Sequence, residues 1–152
     1  MKLDFIECLM TTDDTLRYRE MLTKCGRSNE FLRAYRQFKP IVLAGIHLSI
    51  QASYHHYCTP RDTFENPSIY THMELGLFSV YEGDRSWVDL HTDGRLEGFR
   101  FKADFKEYEE QTGLFAFLPV EYIELLYKYL VKVEFERATD MFKKGVSNER
   151  AD

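Results

Sequence analysis

Two segments of the chain alternate apolar and polar residues with a period of two, and this pattern constrains the fold most. It runs through residues 46–51 and again through residues 70–78, with a long loop at 53–68 between them. Successive side chains of a strand point to opposite sides, so a strand with one buried face produces such alternation. The pattern therefore predicts two strands of an antiparallel sheet, whose polar faces coincide if the two strands pair.

Helical spacing precedes and follows these strands. Residues 12–25 begin at a favourable amino cap and carry apolar residues at helical spacing until Gly26. Residues 28–38 repeat the pattern as far as Pro40, which cannot continue a helix, so we predict an amino-terminal helical hairpin. Pro119 suits the first turn of a further helix, which carries one apolar stripe.

Two shorter signals complete the predicted sheet. Asp93-Gly94 lies between runs at residues 87–91 and 96–101, and this dipeptide is typical of the two-residue turn of a β-hairpin. Residues 114–118 are wholly apolar and predict a buried strand. Together these segments predict an antiparallel sheet of about five strands.

Length and composition favour one domain. The chain has 152 residues, of which 44% are hydrophobic and 15% aromatic, which is enough apolar material for a single core. We predict an α+β fold with the helical hairpin at the amino terminus and a carboxy-terminal helix packed on the sheet. The predicted domain spans residues 1–145, and residues 146–152 form a frayed tail.

The charge balance bears on the class of partner. A formal net charge of −5 argues against broad binding to phosphate backbones, which needs a basic surface. The predicted helical hairpin is mildly basic, and nucleic-acid binding through Arg33, Arg36 and Lys39 stays a third possibility. Such residues on amphipathic helices are more often a solvated face, so we predict a protein partner over a nucleic acid.

Localisation follows from what the chain lacks. No apolar run reaches about 18 residues, so no membrane span is predicted. Asp4 and Glu7 interrupt the apolar start that a signal peptide would have. Cys8, Cys25 and Cys58 form no CxxC pair and fit a reducing compartment. We therefore expect a cytoplasmic protein, with Cys8 and Cys25 in its core.

Most of the chain's chemistry lies between Ile46 and Gly76. One interpretation is a polar cluster that binds a ligand or a partner, in which Arg61 binds a carboxylate or phosphate and Glu74 faces a donor. The other is an Arg61–Glu74 ion pair that ties the long loop onto the second strand. Both stay open at this point. The candidate binding residues are Gln51, Ser53, His56, Tyr57, Arg61, Tyr70, His72 and Glu74.

Metal and nucleophilic chemistry receive less support from the same window. Five of its residues are of types that bind zinc, namely His55, His56, Cys58, His72 and Glu74. Their spacing matches no standard zinc module, so we predict no metal site and no cofactor. Cys58 precedes Thr59-Pro60 instead of opening a helix that would lower its pKa, so we predict a buried, inert cysteine.

The strings QASYHHYCTPR and YTHMELG resemble a pattern of small phage and prophage proteins, Q-A-S-x-x-H-Y-C-x-P-R followed by Y-x-x-x-E-[LV]-G. GLFAFLPVEYIELLYKYL is similar to the strand–Pro–helix ending of such proteins. The resemblance implies a phage-type origin and no particular reaction. It also implies that the matching positions form the shared core of the site, namely Gln51, Ser53, His56, Tyr57, Cys58, Pro60, Arg61, Tyr70 and Glu74.

These observations lead to two functional expectations. The first is a non-catalytic, phage-type protein that binds and inhibits a host macromolecule in the host cytoplasm, plausibly a defence complex such as a CRISPR effector. The second is a small-ligand binding protein or hydrolase that uses residues 51–74 on a nucleotide or another phosphorylated compound. A homodimer stays open because tyrosine-rich helices and exposed strand edges favour association.

Overall fold

The computed structural model describes residues 2–26 and 36–151, with side chains described as far as residue 145. The chain forms an α+β fold, as predicted, in which a pair of amino-terminal helices precedes an antiparallel sheet and a long carboxy-terminal helix packs on that sheet. The helices are α1 (Asp4–Glu7), α2 (Asp13–Lys24), α3 (Lys102–Phe105) and α4 (Val120–Ala151). The strands are β1 (Ile41–Leu43), β2 (Ile46–Gln51), β3 (His72–Tyr81), β4 (Asp84–Trp87), β5 (Glu109–Gln111) and β6 (Leu114–Pro119).

The central strand of the sheet is β3, which is the longest. The order of the strands is β1-β2-β3-β6-β5, and β4 pairs with the outer part of β3. β2 and β3 pair antiparallel with Ser49 opposite Gly76. This arrangement confirms the strands that the alternation predicts, and the apolar positions of both strands are buried beneath α4.

β3 changes partner along one of its sides, from β6 to β4. Gly76 lies opposite Leu114 of β6, while Phe78 lies opposite Trp87 of β4. Between them, the Leu77 N–H donates to the Gly113 carbonyl at 2.7 Å, and the Val88 N–H donates to the Leu77 carbonyl at 2.9 Å. A Cβ atom on Gly113, whose φ is +79°, would lie 2.9 Å from the carbonyl oxygens of Leu77 and Val88. The junction therefore requires glycine at position 113.

The predicted hairpin at Asp93-Gly94 is wrong. Asp93 instead caps a short 3₁₀ helix, Gly94–Leu96, because its carboxylate accepts the backbone N–H of Arg95 and also binds the Arg95 guanidinium at 2.8 Å. The hairpin turn lies earlier, at Glu82-Gly83, where both residues have positive φ, and it joins β3 to β4. The sheet consequently gains β4 and does not extend through residues 96–101.

The amino-terminal segment agrees with the prediction only in its first half. α2 begins after Thr12, whose side chain accepts the Thr15 N–H, as the capping pattern predicts. The predicted second helix, residues 28–38, lies mostly outside the described residues, and Phe38 itself forms an isolated bridge with Thr11. Cys8 and Cys25 are exposed, so their predicted core positions are wrong.

A carboxylate of α4 holds α1 in place. Glu124 is only 4% exposed, and its two oxygens accept the backbone N–H groups of Asp4 at 2.9 Å and Phe5 at 3.1 Å. Lys128 lies 3.6 Å away on the next turn of α4. Because these N–H groups have no partner within α1 itself, Glu124 serves as their acceptor and seats the fully buried Phe5 ring in the core.

Candidate functional site

The sheet face opposite α4 is not covered by a helix of the described residues and carries several large apolar side chains that are exposed. Cross-strand pairing places Val42, His47, Phe78 and Trp87 in one row, because directly opposed residues project to the same side. We call this side the open face, and it consists of Val42, His47, Ser49, Glu74, Gly76, Phe78, Val80, Arg85 and Trp87. Three of its large apolar side chains are about half exposed, Val42 and Trp87 at 52% and Val80 at 44%.

A recess of about 320 Å³ lies at the centre of the open face. Gly76 forms its floor, since the missing side chain leaves room for the Trp87 ring to lie across β3. Phe78 and Trp87 form apolar walls, and the Arg85 guanidinium lies 4.8 Å from the centre of the Phe78 ring. Glu74 is the acidic residue among those that line the recess.

Glu74 is half-buried and incompletely bonded. One of its carboxylate oxygens accepts the backbone N–H of Tyr57 at 3.2 Å, and no donor to the other oxygen occurs among residues 2–26 and 36–145. Burial raises the pKa of Glu74, while the hydrogen bond from Tyr57 acts in the opposite direction. Tyr57 in turn is fixed by the Phe117 N–H, which donates to its carbonyl at 3.1 Å.

The predicted Arg61–Glu74 ion pair does not form. Arg61 is exposed, its Nε donates to the Tyr54 carbonyl at 3.3 Å, and its guanidinium lies 5.7 Å from the centre of the Tyr57 ring. The loop is instead held to β3 through the Tyr57 backbone. Of the two sequence interpretations, the structure therefore leaves Glu74 available and removes the anchoring pair.

Other predicted site residues are engaged within the chain. Gln51 is buried, and its side-chain amide accepts the Phe38 N–H at 2.8 Å and donates to the Phe38 carbonyl at 2.9 Å. Tyr70 is buried, and its hydroxyl donates to the Asp62 carbonyl at 2.6 Å. His72 contacts the Thr71 hydroxyl through Nδ1 at 2.8 Å. Gln51 and Tyr70 therefore stabilise the loop and its flanking segments.

Ser53 and His56 form a hydroxyl–imidazole pair at 2.6 Å. Burial, followed by the neighbouring charges of His55 and Arg36, lowers the pKa of His56 to about 4, so the imidazole is neutral at pH 7. Ser53 is fully buried, and its Oγ also accepts the His55 N–H at 3.2 Å. The pair lines a recess of about 230 Å³ together with Arg36, Gln37 and His55. The fully buried Ser53 hydroxyl is already bonded to His56 and to the His55 N–H, so we interpret the pair as stabilising the loop.

Cys58 is buried, as predicted. Its thiol donates to the Ser53 carbonyl at 3.2 Å. Burial raises the pKa of this thiol, which disfavours the thiolate that nucleophilic chemistry requires.

Arg36 is the residue that sequence reasoning placed wrongly. It is only 3% exposed instead of lying on a solvated helix face, and its guanidinium donates to the carbonyls of Phe64 and Ala52 and to the Tyr70 hydroxyl. The guanidinium also lies 4.4 Å from the centre of the Phe38 ring. Because its partners are 16 to 34 residues away, no local signal marks this role.

The structure also assembles one set of metal-ligand types that the sequence does not suggest. Asp89, His91 and Glu109 place their ligand atoms within 4.8 Å of one another, and His91 Nε2 lies 3.1 Å from a Glu109 oxygen. In the part of the chain that the structure describes, the five zinc-type residues of the 55–74 window form no such group. The hydrogen bond between His91 and Glu109 accounts for this geometry without a metal.

The comparisons with known proteins yield no relative. No family model matches the chain, and neither a curated protein nor a solved structure matches it significantly. Within the described residues, the helices are too short or too polar to cross a membrane. The arguments for function therefore come from the open face and the geometry around it.

Proposed function

We propose that this chain is a non-catalytic interaction protein that binds a host protein or protein complex through the open face and inhibits it. The resemblance of QASYHHYCTPR and YTHMELG to phage and prophage proteins supports a phage-type origin, and the partner that we propose for a protein of that origin is a host defence complex such as a CRISPR effector. Inhibition by occlusion requires a stable complex and no turnover.

The observation that carries this proposal is the set of exposed apolar side chains on the open face. Val42 on β1, Val80 on β3 and Trp87 on β4 project to the same side of the sheet, and each is 44–52% exposed. Exposed apolar side chains that share one face commonly mark interaction surfaces, and tryptophan is enriched among the residues that dominate binding energy. Because these side chains lie on a rigid antiparallel sheet, binding does not have to order a flexible loop, which would cost conformational entropy.

The loop chemistry supports the same conclusion. Gln51, Ser53, Tyr70 and Cys58 are buried and bonded within the chain, so the polar window acts mainly as scaffold. Tyr57 is 46% exposed beside the open face, where it extends the apolar surface together with Phe117, whose ring centre is 5.7 Å away. The ligand-binding or hydrolase alternative gains no specific support from this geometry.

Affinity capture with matched variants tests the proposal. The tagged protein, Trp87→Ala and Phe135→Ala would be used to capture partners from a bacterial lysate, and the affinity for the identified complex would then be measured with purified components. Phe135 is the control because it is 72% exposed on α4, away from the open face. We expect binding at micromolar affinity or better that Trp87→Ala weakens by about tenfold or more and Phe135→Ala preserves.

Two results would contradict the proposal. One is the absence of any partner with micromolar affinity. The other is binding that Phe135→Ala abolishes and Trp87→Ala leaves intact, which would move the interface to α4. Inhibition is tested separately by adding the protein to the purified complex and measuring its activity.

A further inference from the structure

We infer that the recess of the open face binds a basic side chain, a lysine or arginine of the partner, with its cationic group against Glu74 and its stem along the Trp87 ring. This inference rests on the proposed function, because it names what the open face recognises. It follows from the size of the recess, the chemistry of its walls and the incomplete bonding of Glu74.

The size and walls of the recess suit one long side chain. A volume of about 320 Å³ is at the lower limit of small-ligand pockets, so the recess holds a side chain more readily than a whole cofactor. The Trp87 ring is 52% exposed and provides flat apolar contact for the methylene groups of such a side chain, whereas the nearly buried Phe78 ring is stacked on His47 and only backs the recess. Aromatic rings also attract cations, tryptophan most strongly.

Glu74 gives the recess its preference for a cation. Its second carboxylate oxygen receives no hydrogen bond from the described residues, and no described lysine, arginine or histidine lies within 4.0 Å of the carboxylate. Burying an ionised carboxylate without a partner is unfavourable, and a cationic group at this oxygen would remove the cost. The raised pKa of Glu74 reflects the same burial.

Arg85 defines the orientation of the occupant. Its guanidinium lies over the Phe78 ring at 4.8 Å, and the residue is exposed, so it occupies the rim while Glu74 lies deeper. Because the Arg85 guanidinium lies against Phe78, four residues from Glu74 along β3, its like charge disfavours a cation at that end of the recess and directs the cationic group towards Glu74. The net charge of −5 is consistent with a basic partner surface around the inserted side chain.

The single tryptophan makes the recess directly observable. Trp87 is the one tryptophan of the chain, so its indole N–H resonance and its fluorescence report on the recess alone. The probes would be N-acetyl-lysine methylamide and N-acetyl-arginine methylamide, with N-acetyl-norleucine methylamide as the uncharged isostere. We expect the basic probes to shift the Trp87 indole resonance saturably and the norleucine probe to bind about tenfold more weakly or not at all.

Three variants make the assignment specific. Glu74→Gln keeps an acceptor for the Tyr57 N–H but removes the charge, so we expect binding of the basic probes to fall by about tenfold. Glu121→Gln, an exposed acid on α4, is the control and should leave binding unchanged. Arg85→Gln removes the like charge at the rim, so the basic probes should bind more tightly.

The outcomes separate the inference from the proposed function. Unsaturable shifts, equal binding of the norleucine probe, or unchanged binding in Glu74→Gln would overturn the inference. Weaker binding of the basic probes in Arg85→Gln would also overturn it, because it would show that Arg85 supports the occupant instead of repelling it. If partner capture depends on Trp87 while the probes fail these criteria, the proposed function stands and the inference is wrong. If the probes bind through Glu74 while capture ignores Trp87, the recess binds cations and the proposed function is wrong.

Discussion

Replacing His56 with asparagine should remove much of the acid sensitivity of the fold. The His56 imidazole is hydrogen-bonded through Nδ1 to the buried Ser53 hydroxyl at 2.6 Å, and it is neutral at pH 7. Burial contributes most to lowering its pKa to about 4, and the charges of His55 and Arg36 act in the same direction. Asparagine offers a carbonyl oxygen to the same hydroxyl and does not titrate.

The magnitude follows from the two pKa values. In the unfolded chain the imidazole titrates near 6.5, whereas in the folded protein it titrates near 4. Below pH 6.5 the unfolded state therefore binds a proton that the folded state does not, so the stabilising contribution is complete above pH 6.5 and is lost as the pH falls to 4. At about 1.4 kcal/mol for each pH unit, the full loss is about 3 kcal/mol.

Urea unfolding followed by circular dichroism at pH 7.5 and pH 4.5 measures this loss. Over that range, the free energy of unfolding of the parent protein should fall by about 2.5 kcal/mol more than that of His56→Asn. His72→Asn makes the same substitution at a histidine bonded to the exposed Thr71 hydroxyl, and it controls for the loss of a histidine as such. An equal fall in the parent and in His56→Asn would refute the reasoning.

Three further predictions concern stability. Gly113→Ala should lower the free energy of unfolding in urea by about 3 kcal/mol or more, because its Cβ would lie 2.9 Å from two backbone oxygens at a φ of +79°. Gly83→Ala, at a φ of +85° but with nothing within 4 Å, should lower it by only about 1 kcal/mol. Equal losses in the two variants would show that crowding at the junction is unimportant. Glu124→Ala should cost about 2 kcal/mol and speed amide exchange in α1, since it leaves two N–H groups without their acceptor; unchanged exchange there would contradict this role. Burial raises the pKa of Glu74, so its stabilising contribution is present below the ordinary carboxyl pKa and is lost as the pH rises through the raised value. Glu74→Gln should therefore be more stable than the parent at pH 8 and lose this advantage towards pH 4, and a variant less stable at pH 8 would contradict the assignment.

Local sequence patterns correctly predict those elements whose structure depends on residues close to them in the sequence. The alternation at 46–51 depends only on one buried face, and it predicts β2 correctly. The cap at Thr12 and the change from strand to helix at Pro119 are likewise contained within a few residues. These signals are sufficient for the fold class, because a sheet with one helix-covered face follows from them.

Distant or competing contacts explain where the sequence misleads. Asp93-Gly94 has the composition of a hairpin turn, but the Asp93 carboxylate binds Arg95 and caps a 3₁₀ helix instead. Arg36 is buried because the Tyr70 hydroxyl and the Ala52 carbonyl receive its guanidinium, and neither partner is near it in sequence. Composition alone favours a solvated arginine at position 36.

The same distinction between local and distant contacts applies to the candidate site. The sequence predicts Glu74 as a site residue because it lies in the polar window, and the structure places it in the recess. Trp87 was expected in a misplaced hairpin, so its position across β3 from Glu74 could not be predicted. The recess depends on the register of β3 with β4, which follows from the turn at Glu82-Gly83.

The bonds between Glu124 and α1 bear on the order in which the chain folds. Asp4 and Phe5 contact an acceptor 120 and 119 residues later, respectively, whereas β2 and β3 pair across a single loop. During synthesis, the β2–β3 pair is complete while α1 still lacks its acceptor, and the buried Phe5 ring lacks the helix that covers it. α1 therefore docks only after α4 has been synthesised, later than β2 and β3 can pair, although α1 precedes both strands in the chain.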